Sequence, residues 1–311
     1  MDFTNVMLMS ALVVLFTAQS LLLKLYTPKY PGREELASPA FTVVFSFAIS
    51  IITFLLTFFS FSDAGLAIGY NFSLSWQTVL LGGLDALAII GYNASIIRGS
   101  KTGPFSVLMI FSIAGSIIIP TVVSAFFFDE VPSIGKVISM LVVIASVYLV
   151  SKKSGETYSD KKVFWISCFI FAAASGISSA LIKIHEQIMT KNQGYPAEQK
   201  EFVVIAYLFA AVFSVIMLLF KEGRAFPKAM VQTKASFLYL AICSVVGVGA
   251  INLLFYTVPL IEAAVLYTLK DASVFLLSTA ISCIFFKERL TRLNAVGCVT
   301  MCAALVGVSF L

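Results

Sequence analysis

Ten apolar stretches follow one another along the chain, near 6–25, 39–61, 74–97, 104–128, 133–151, 163–187, 200–220, 235–258, 262–286 and 291–311. Each is long enough to cross about 30 Å of hydrocarbon as a helix, exceeds the roughly 10 residues of a barrel strand and lacks period-two alternation. The pattern predicts an all-α membrane protein of ten transmembrane helices. The first run begins near Asp2 and reaches Lys24 without a basic leader or a small-residue cleavage pattern, so it reads as a mature helix rather than a signal peptide. Connections at 129–132 and 257–260 are so short that the helices flanking each are expected to be antiparallel neighbours. Longer connections fall at 26–38, 152–162, 188–199 and 221–234. The polar run 152–162, with Gly155, divides the chain into halves 1–151 and 163–311 of one integral membrane domain.

Composition makes lipid the expected solvent: 59% of the 311 residues are hydrophobic and only 12% charged, with 29 phenylalanines. The net charge of +5 is carried by loops and bears on insertion rather than on nucleic acid, so a lipid bilayer is the expected partner and nucleic acid is not. Connections after the odd-numbered runs hold Lys29, Arg33, Arg98, Lys101, Lys152, Lys153, Lys161, Lys162, Lys221, Arg224, Lys228, Lys234, Lys287, Arg289 and Arg292, whereas the opposite side holds Lys136, Lys191 and Lys200. That asymmetry places the first set in the cytoplasm and both termini outside it. Cys168, Cys243, Cys283, Cys298 and Cys302 lie inside apolar runs without metal-ligand spacing, so they read as small core residues.

The most informative positions are charges inside the apolar runs. Lys270 and Asp271 are adjacent within the ninth run, too deep for easy snorkelling, where an ionisable group costs about 3 kcal/mol. With Tyr267 and Ser278 they fall within an arc of roughly 100° on one helix face, a polar stripe expected to face a cavity. Lys270 could bind a carboxylate or phosphate; Asp271 could bind an amine or carry a proton. The bland reading is a buried structural ion pair. Asn252 and Tyr256 in the eighth run, and Asp85 and Tyr92 in the third, are further candidate cavity walls, with helix cross-linking and interfacial anchoring as the alternatives. Gly82 and Gly83 read as sites of close helix packing. Lys24 and Lys183 lie near helix ends, where lysine reaches water cheaply. His185 and Glu186 read as a solvated end of the sixth helix, with a proton relay as the rival.

Displacing the chain on itself by 158 or 159 residues aligns Ser20, Leu22 and Lys24 with Ser179, Leu181 and Lys183, Val107 and Leu108 with Val265 and Leu266, and Ser124, Phe127, Phe128 and Glu130 with Ser282, Phe285, Phe286 and Glu288. Five helices per half is an odd number, so the two copies would be inserted upside down relative to each other, with a site near the midplane between them. The endings Phe127-Phe128-Asp129-Glu130-Val131-Pro132 and Phe285-Phe286-Lys287-Glu288-Arg289-Leu290-Thr291, each before one last apolar helix, resemble the twice-repeated EamA-type ending of the drug/metabolite transporter (DMT) superfamily. The resemblance covers essentially the whole chain in helix number, length and repeat. It implies a ten-helix transporter working by alternating access, with Glu130 and Glu288 as structural or gating residues at helix starts. Many such halves carry a proline before that glutamate; here Pro120 stands in the fourth run, whereas the ninth has Ser278.

No Walker sequence, zinc-protease spacing or Gly-x-Ser-x-Gly elbow occurs, so no cofactor is expected and a gradient or exchange would drive transport. The expected activity is secondary transport of a small polar or anionic, amino-acid-like metabolite, with a proton as a candidate coupling ion. The rivals are a sugar-phosphate or nucleotide-sugar exchanger and an intramembrane lipid-modifying enzyme. The expected setting is a bacterial cytoplasmic (inner) membrane, as monomer or homodimer.

Overall fold

The computed structural model describes residues 3–26, 29–32, 34–62, 65–68, 72–103, 105–151, 158–191, 198–223, 226–285 and 291–310. They form α1 (Phe3–Tyr26), α2 (Glu34–Leu56), the hairpin β1 (Phe59–Ser62) and β2 (Gly65–Ile68), α3 (Trp76–Thr102), α4 (Phe105–Phe127), α5 (Ile134–Ser151), α6 (Lys161–Lys191), α7 (Gln199–Glu222), a single turn α8 (Phe226–Ala229), α9 (Lys234–Thr257), α10 (Ala263–Phe285) and α11 (Arg292–Phe310). Among the described residues, eight of these helices are long and apolar enough to cross a membrane, while α5 and α11 are shorter apolar helices. Helix starts are set by small polar side chains that accept otherwise unpaired N–H groups. Ser75 accepts from Thr78, Ser133 from Lys136, Asp160 from Val163, Thr233 from Ser236 and Thr291 from Asn294.

Three expectations about the helices are corrected. The second apolar run does not continue to residue 61: α2 stops at Leu56, Thr57 closes on the carbonyl of Phe54, and the chain enters an antiparallel hairpin pairing Phe59 with Ile68 and Ser62 with Gly65. The reason is local, because Phe59-Ser60-Phe61-Ser62 alternates with the period of a strand. The second correction concerns α9 and α10, which barely touch despite the short link at 257–260. Instead α9 packs on α1 and α2, and α10 on α1, α4 and α11. The third is the sixth helix, which runs to Lys191, about a turn beyond the apolar stretch, so residues placed near its end lie inside it. Glu288, Lys287 and Arg289, with Arg33, Lys152, Lys153 and Gly155, lie outside the described residues.

Packing is densest where α4 and α3 both lie on α6, and α2 pairs with α7, α5 with α11 and α1 with α9. Small residues permit the closest of these approaches. A Cβ on Gly115 would come within 2.7 Å of the Cα of Ala172, and one on Gly82 within 3.0 Å of Ile205. The outer surface is apolar, as lipid requires: Leu80, Leu84 and Leu87 on α3, Phe126 on α4 and Phe220 on α7 are exposed. Polar groups turn inward, and many are satisfied there. Thr42, Ser167, Ser244 and Thr279 donate to carbonyls one turn back, and Asn93 reaches Thr42, Ser50 the carbonyl of Val204, Ser146 Thr300, and Asn294 the carbonyls of Leu149 and Val150. Cys168 and Cys243 are buried as expected; Cys302 is exposed, a correction that follows from its position on the outer face of α11.

Candidate functional site

Lys270 and Asp271 project from α10 into the bundle. Their side chains meet at 3.1 Å, and Asp271 accepts a hydrogen bond of 2.5 Å from Ser116 on α4. The Lys270 ammonium lies 5.0 Å from the ring centre of Phe16 on α1 and 5.2 Å from that of Tyr267, so its remaining face is covered by π density rather than by a second carboxylate. Lys270 is only 8% exposed and Tyr267 wholly buried, its hydroxyl donating to the carbonyl of Ser179 on α6 at 2.9 Å. Three helices are thereby tied to α10 through one polar patch.

Asp85 and Tyr92 come from α3. Asp85 is buried, faces Ser178 of α6, and its Oδ1 has no hydrogen-bond partner among the described residues. It lies near the phenols of Tyr207 on α7 and of Tyr267, and Asp271 lies near those of Tyr267 and Tyr92. The structure therefore gathers Tyr267, Lys270, Asp271, Asp85 and Tyr92 into one interior region bounded by α3, α6, α7 and α10. Ser278, two turns along α10, is half-buried, and no hydrogen bond joins it to the patch among the described residues. Pro120 is buried in α4, one turn from Ser116. Asn252 cross-links α9 to Thr53 of α2 and to the carbonyl of Val248, a packing role. Tyr256 is corrected as a cavity residue: 58% exposed, it lies on the outer face of α9.

Two cavities flank this interior. One, about 590 Å³, lies among the 129–136 segment, α6 and the 257–262 link, where α9 and α10 part. Glu130 does not cap α5, a task Ser133 performs. It turns toward α6 and pairs with Lys183 at 2.9 Å, Lys183 in turn reaching Glu186 at 3.3 Å, and Gln187 donates to Glu130. Asp129 makes this possible by adopting a left-handed φ of 57°, which swings the chain so that the N–H of Glu130 bonds Ser124. Lys183, expected to reach water, is instead 3% exposed. At the rim Lys136 pairs with Glu262. Tyr267 bonds the carbonyl of Ser179, one turn of α6 before Lys183, which links this vestibule to the interior patch. The other cavity, about 570 Å³, lies at the opposite end of the bundle among α2, α3, α6 and α7. On α6 alone, Val163 lines one and Lys183 the other, a separation of roughly 30 Å.

His185 is also corrected. It is fully buried, packs its ring tilted against that of Phe202 at 4.6 Å, and sits 2.9 Å from Thr78. Thr78 donates to Glu198, so the Thr78 oxygen accepts from Nε2–H of His185, whose Nδ1 has no hydrogen-bond partner among the described residues. Glu198 further accepts from the Ser75 N–H at 2.9 Å, the Ser75 hydroxyl at 2.8 Å and the Ser73 hydroxyl at 3.3 Å. Burial pushes the Glu198 carboxyl up, but these donors from Thr78, Ser75 and Ser73 outweigh it and hold the group below its ordinary value. This cluster clasps the starts of α3 and α7 to α6. Sequence reasoning missed it, as it missed Ser116, Phe16 and Tyr207; their signal was confined to single polar or aromatic residues in apolar runs.

No family model matches the chain, and no curated protein matches it. A solved structure, described as the crystal structure of a protein, shares the fold over 98% of this chain and 97% of its own at a TM-score of 0.68, with 13% sequence identity. At that identity the likeness concerns the fold.

Proposed function

We propose that this chain is a secondary transporter of the drug/metabolite type, moving a small polar or anionic metabolite by alternating access across the cytoplasmic membrane. The observation that carries the reading is a Lys270–Asp271 pair, its lysine buried and its aspartate partly so, held between two cavities at opposite ends of the bundle. An anionic group entering beside Phe16 and Tyr267 would compete with Asp271 for Lys270. Asp271 is tethered to α4 through Ser116, so that exchange would loosen α4 from α10 and couple binding to helix movement. Asp85, buried with one oxygen unpartnered among the described residues, is the candidate carrier of a coupling proton.

In this reading α5 and α11 complete ten spans, arranged as two inverted five-helix repeats. The contact pattern supports it under the exchange of α1 with α6, α2 with α7, α3 with α9, α4 with α10 and α5 with α11. The packing of α3 on α6 is answered by α9 on α1, and that of α4 on α6 by α10 on α1. The pairs α2 with α7, α4 with α10, and α5 with α11 map onto themselves. The excess of Lys and Arg in the loops after the odd-numbered runs supports an orientation with both termini outside the cytoplasm. A second reading, exchange of a sugar phosphate or nucleotide sugar, is favoured by Lys183, a second buried cation that lines the vestibule one turn from the Ser179 carbonyl bonded by Tyr267. Uptake of radiolabelled amino acids and sugar phosphates into proteoliposomes, with and without a pH gradient or internal counter-substrate, separates the two. Uptake of none by correctly inserted protein would overturn both.

A further inference from the structure

We propose that the crevice among α2, α3, α6 and α7 is a second ligand site, for a phosphate or carboxylate carried on an apolar body, with the anionic group held between Arg98 and Lys221. Both cations stand at its mouth, and neither forms an ion pair among the described residues. Asp160, on the same side, is engaged in capping α6 through the Val163 N–H. Below the mouth the walls are apolar, with Ile90 and Ala94 from α3 and Met217 from α7. The far end is polar again. Ser214 lies seven residues before Lys221, roughly 10 Å deeper along the helix. It is fully buried and lines the cavity, yet its hydroxyl has no hydrogen-bond partner among the described residues, although a serine in a helix can bond the carbonyl four residues back.

An unmade buried hydrogen bond is a standing cost that a ligand acceptor would relieve. The volume, about 570 Å³, falls within the range of small-molecule pockets. Cation, apolar wall and free hydroxyl therefore describe one complementary ligand: an anionic head, an apolar middle and a polar tail about 10 Å away. The site is separate from Lys270 and does not depend on its role. Two sources supply such chemistry, a soluble amphiphilic anion and the headgroup of an anionic lipid.

Calorimetric titration of the intact protein in phosphatidylcholine nanodiscs with 6-hydroxy-2-naphthyl phosphate, whose distal hydroxyl supplies the polar tail, tests the proposal. Saturable binding is expected, weakened at least about tenfold in the Arg98→Gln/Lys221→Gln variant and roughly threefold in Ser214→Ala, and changed by less than about twofold in Lys270→Gln. Both cations are exposed, so the double variant is expected to fold. Adding phosphatidylglycerol to the nanodiscs distinguishes the sources. If it blocks the naphthyl phosphate and is retained by wild type but not by the double variant in native mass spectrometry, the anion is a headgroup. If it leaves binding intact, the anion is soluble. The proposal is overturned if wild type binds neither, if the double variant binds as wild type does, or if Lys270→Gln alone removes binding.

Discussion

Replacing Lys183 by methionine keeps its length and apolar stem but removes a buried ammonium shared by Glu130 and Glu186 at 2.9 and 3.3 Å. Breaking a fully buried pair by deleting one partner costs about 3–5 kcal/mol, whereas exposed pairs contribute about 0–1 kcal/mol. Glu186 belongs to the first class, but the Glu130 side chain is 23% exposed to the vestibule and keeps part of its hydration. The expected loss is therefore intermediate, about 2 kcal/mol, or roughly thirtyfold in the unfolding equilibrium. Equilibrium unfolding in mixed micelles, followed by tryptophan fluorescence, reads this directly. Adding Glu130→Gln to Lys183→Met removes one stranded carboxylate and should recover part of the loss, which a purely steric effect would not do. A Lys183→Met protein as stable as wild type would refute the reasoning and return Lys183 to the role of a solvated lysine.

Other expectations follow from the same packing and charge. Gly115→Val should destabilise by about 1–3 kcal/mol in the same unfolding assay, because the backbone of Ala172 cannot yield to a side chain. Glu198, held below its ordinary value, contributes stability that is fully present above pH 4.5 and is lost as pH falls through its lower folded value; wild type should thus soften in acid, and Glu198→Gln should be less stable at neutral pH and flatter below pH 4.5. Asp85→Asn should abolish any response of transport to an imposed pH gradient while leaving substrate binding, read by uptake and by radioligand binding in parallel.

Most helix limits were legible because lipid imposes a simple rule: α4, α5, α9 and α10 begin and end within a residue or so of their apolar runs. The hairpin was hidden because Phe59 and Phe61 are as apolar as the helix before them, and only their alternation with serine betrays a strand. Burial near the end of α6 was hidden for a different reason. Lys183, His185 and Glu186 are polar, so by sequence their run leaves the membrane, yet Lys183 and His185 find partners on segments far away in sequence, Glu130 and Thr78, and Glu186 pairs with Lys183. Tyr256 shows the converse, since helical spacing ties it to Asn252 while the bundle turns one of them inward and the other outward. Lys270 and Asp271 were legible because the cost of charge in lipid does not depend on knowing the fold.

Transport itself supplies the deciding measurement. Initial uptake of radiolabelled amino acids and sugar phosphates into proteoliposomes should identify an anionic substrate whose apparent affinity falls at least about tenfold, equivalent to about 1.4 kcal/mol, when Lys270 becomes glutamine. Expression and insertion should survive, since an uncharged side chain enters the bilayer more readily than lysine. Unaltered transport by Lys270→Gln would contradict the account. So would a Lys270→Gln protein that misfolds and is rescued by Lys270→Gln/Asp271→Asn, because the pair would then be a structural tie between α4 and α10 rather than the place where substrate binds.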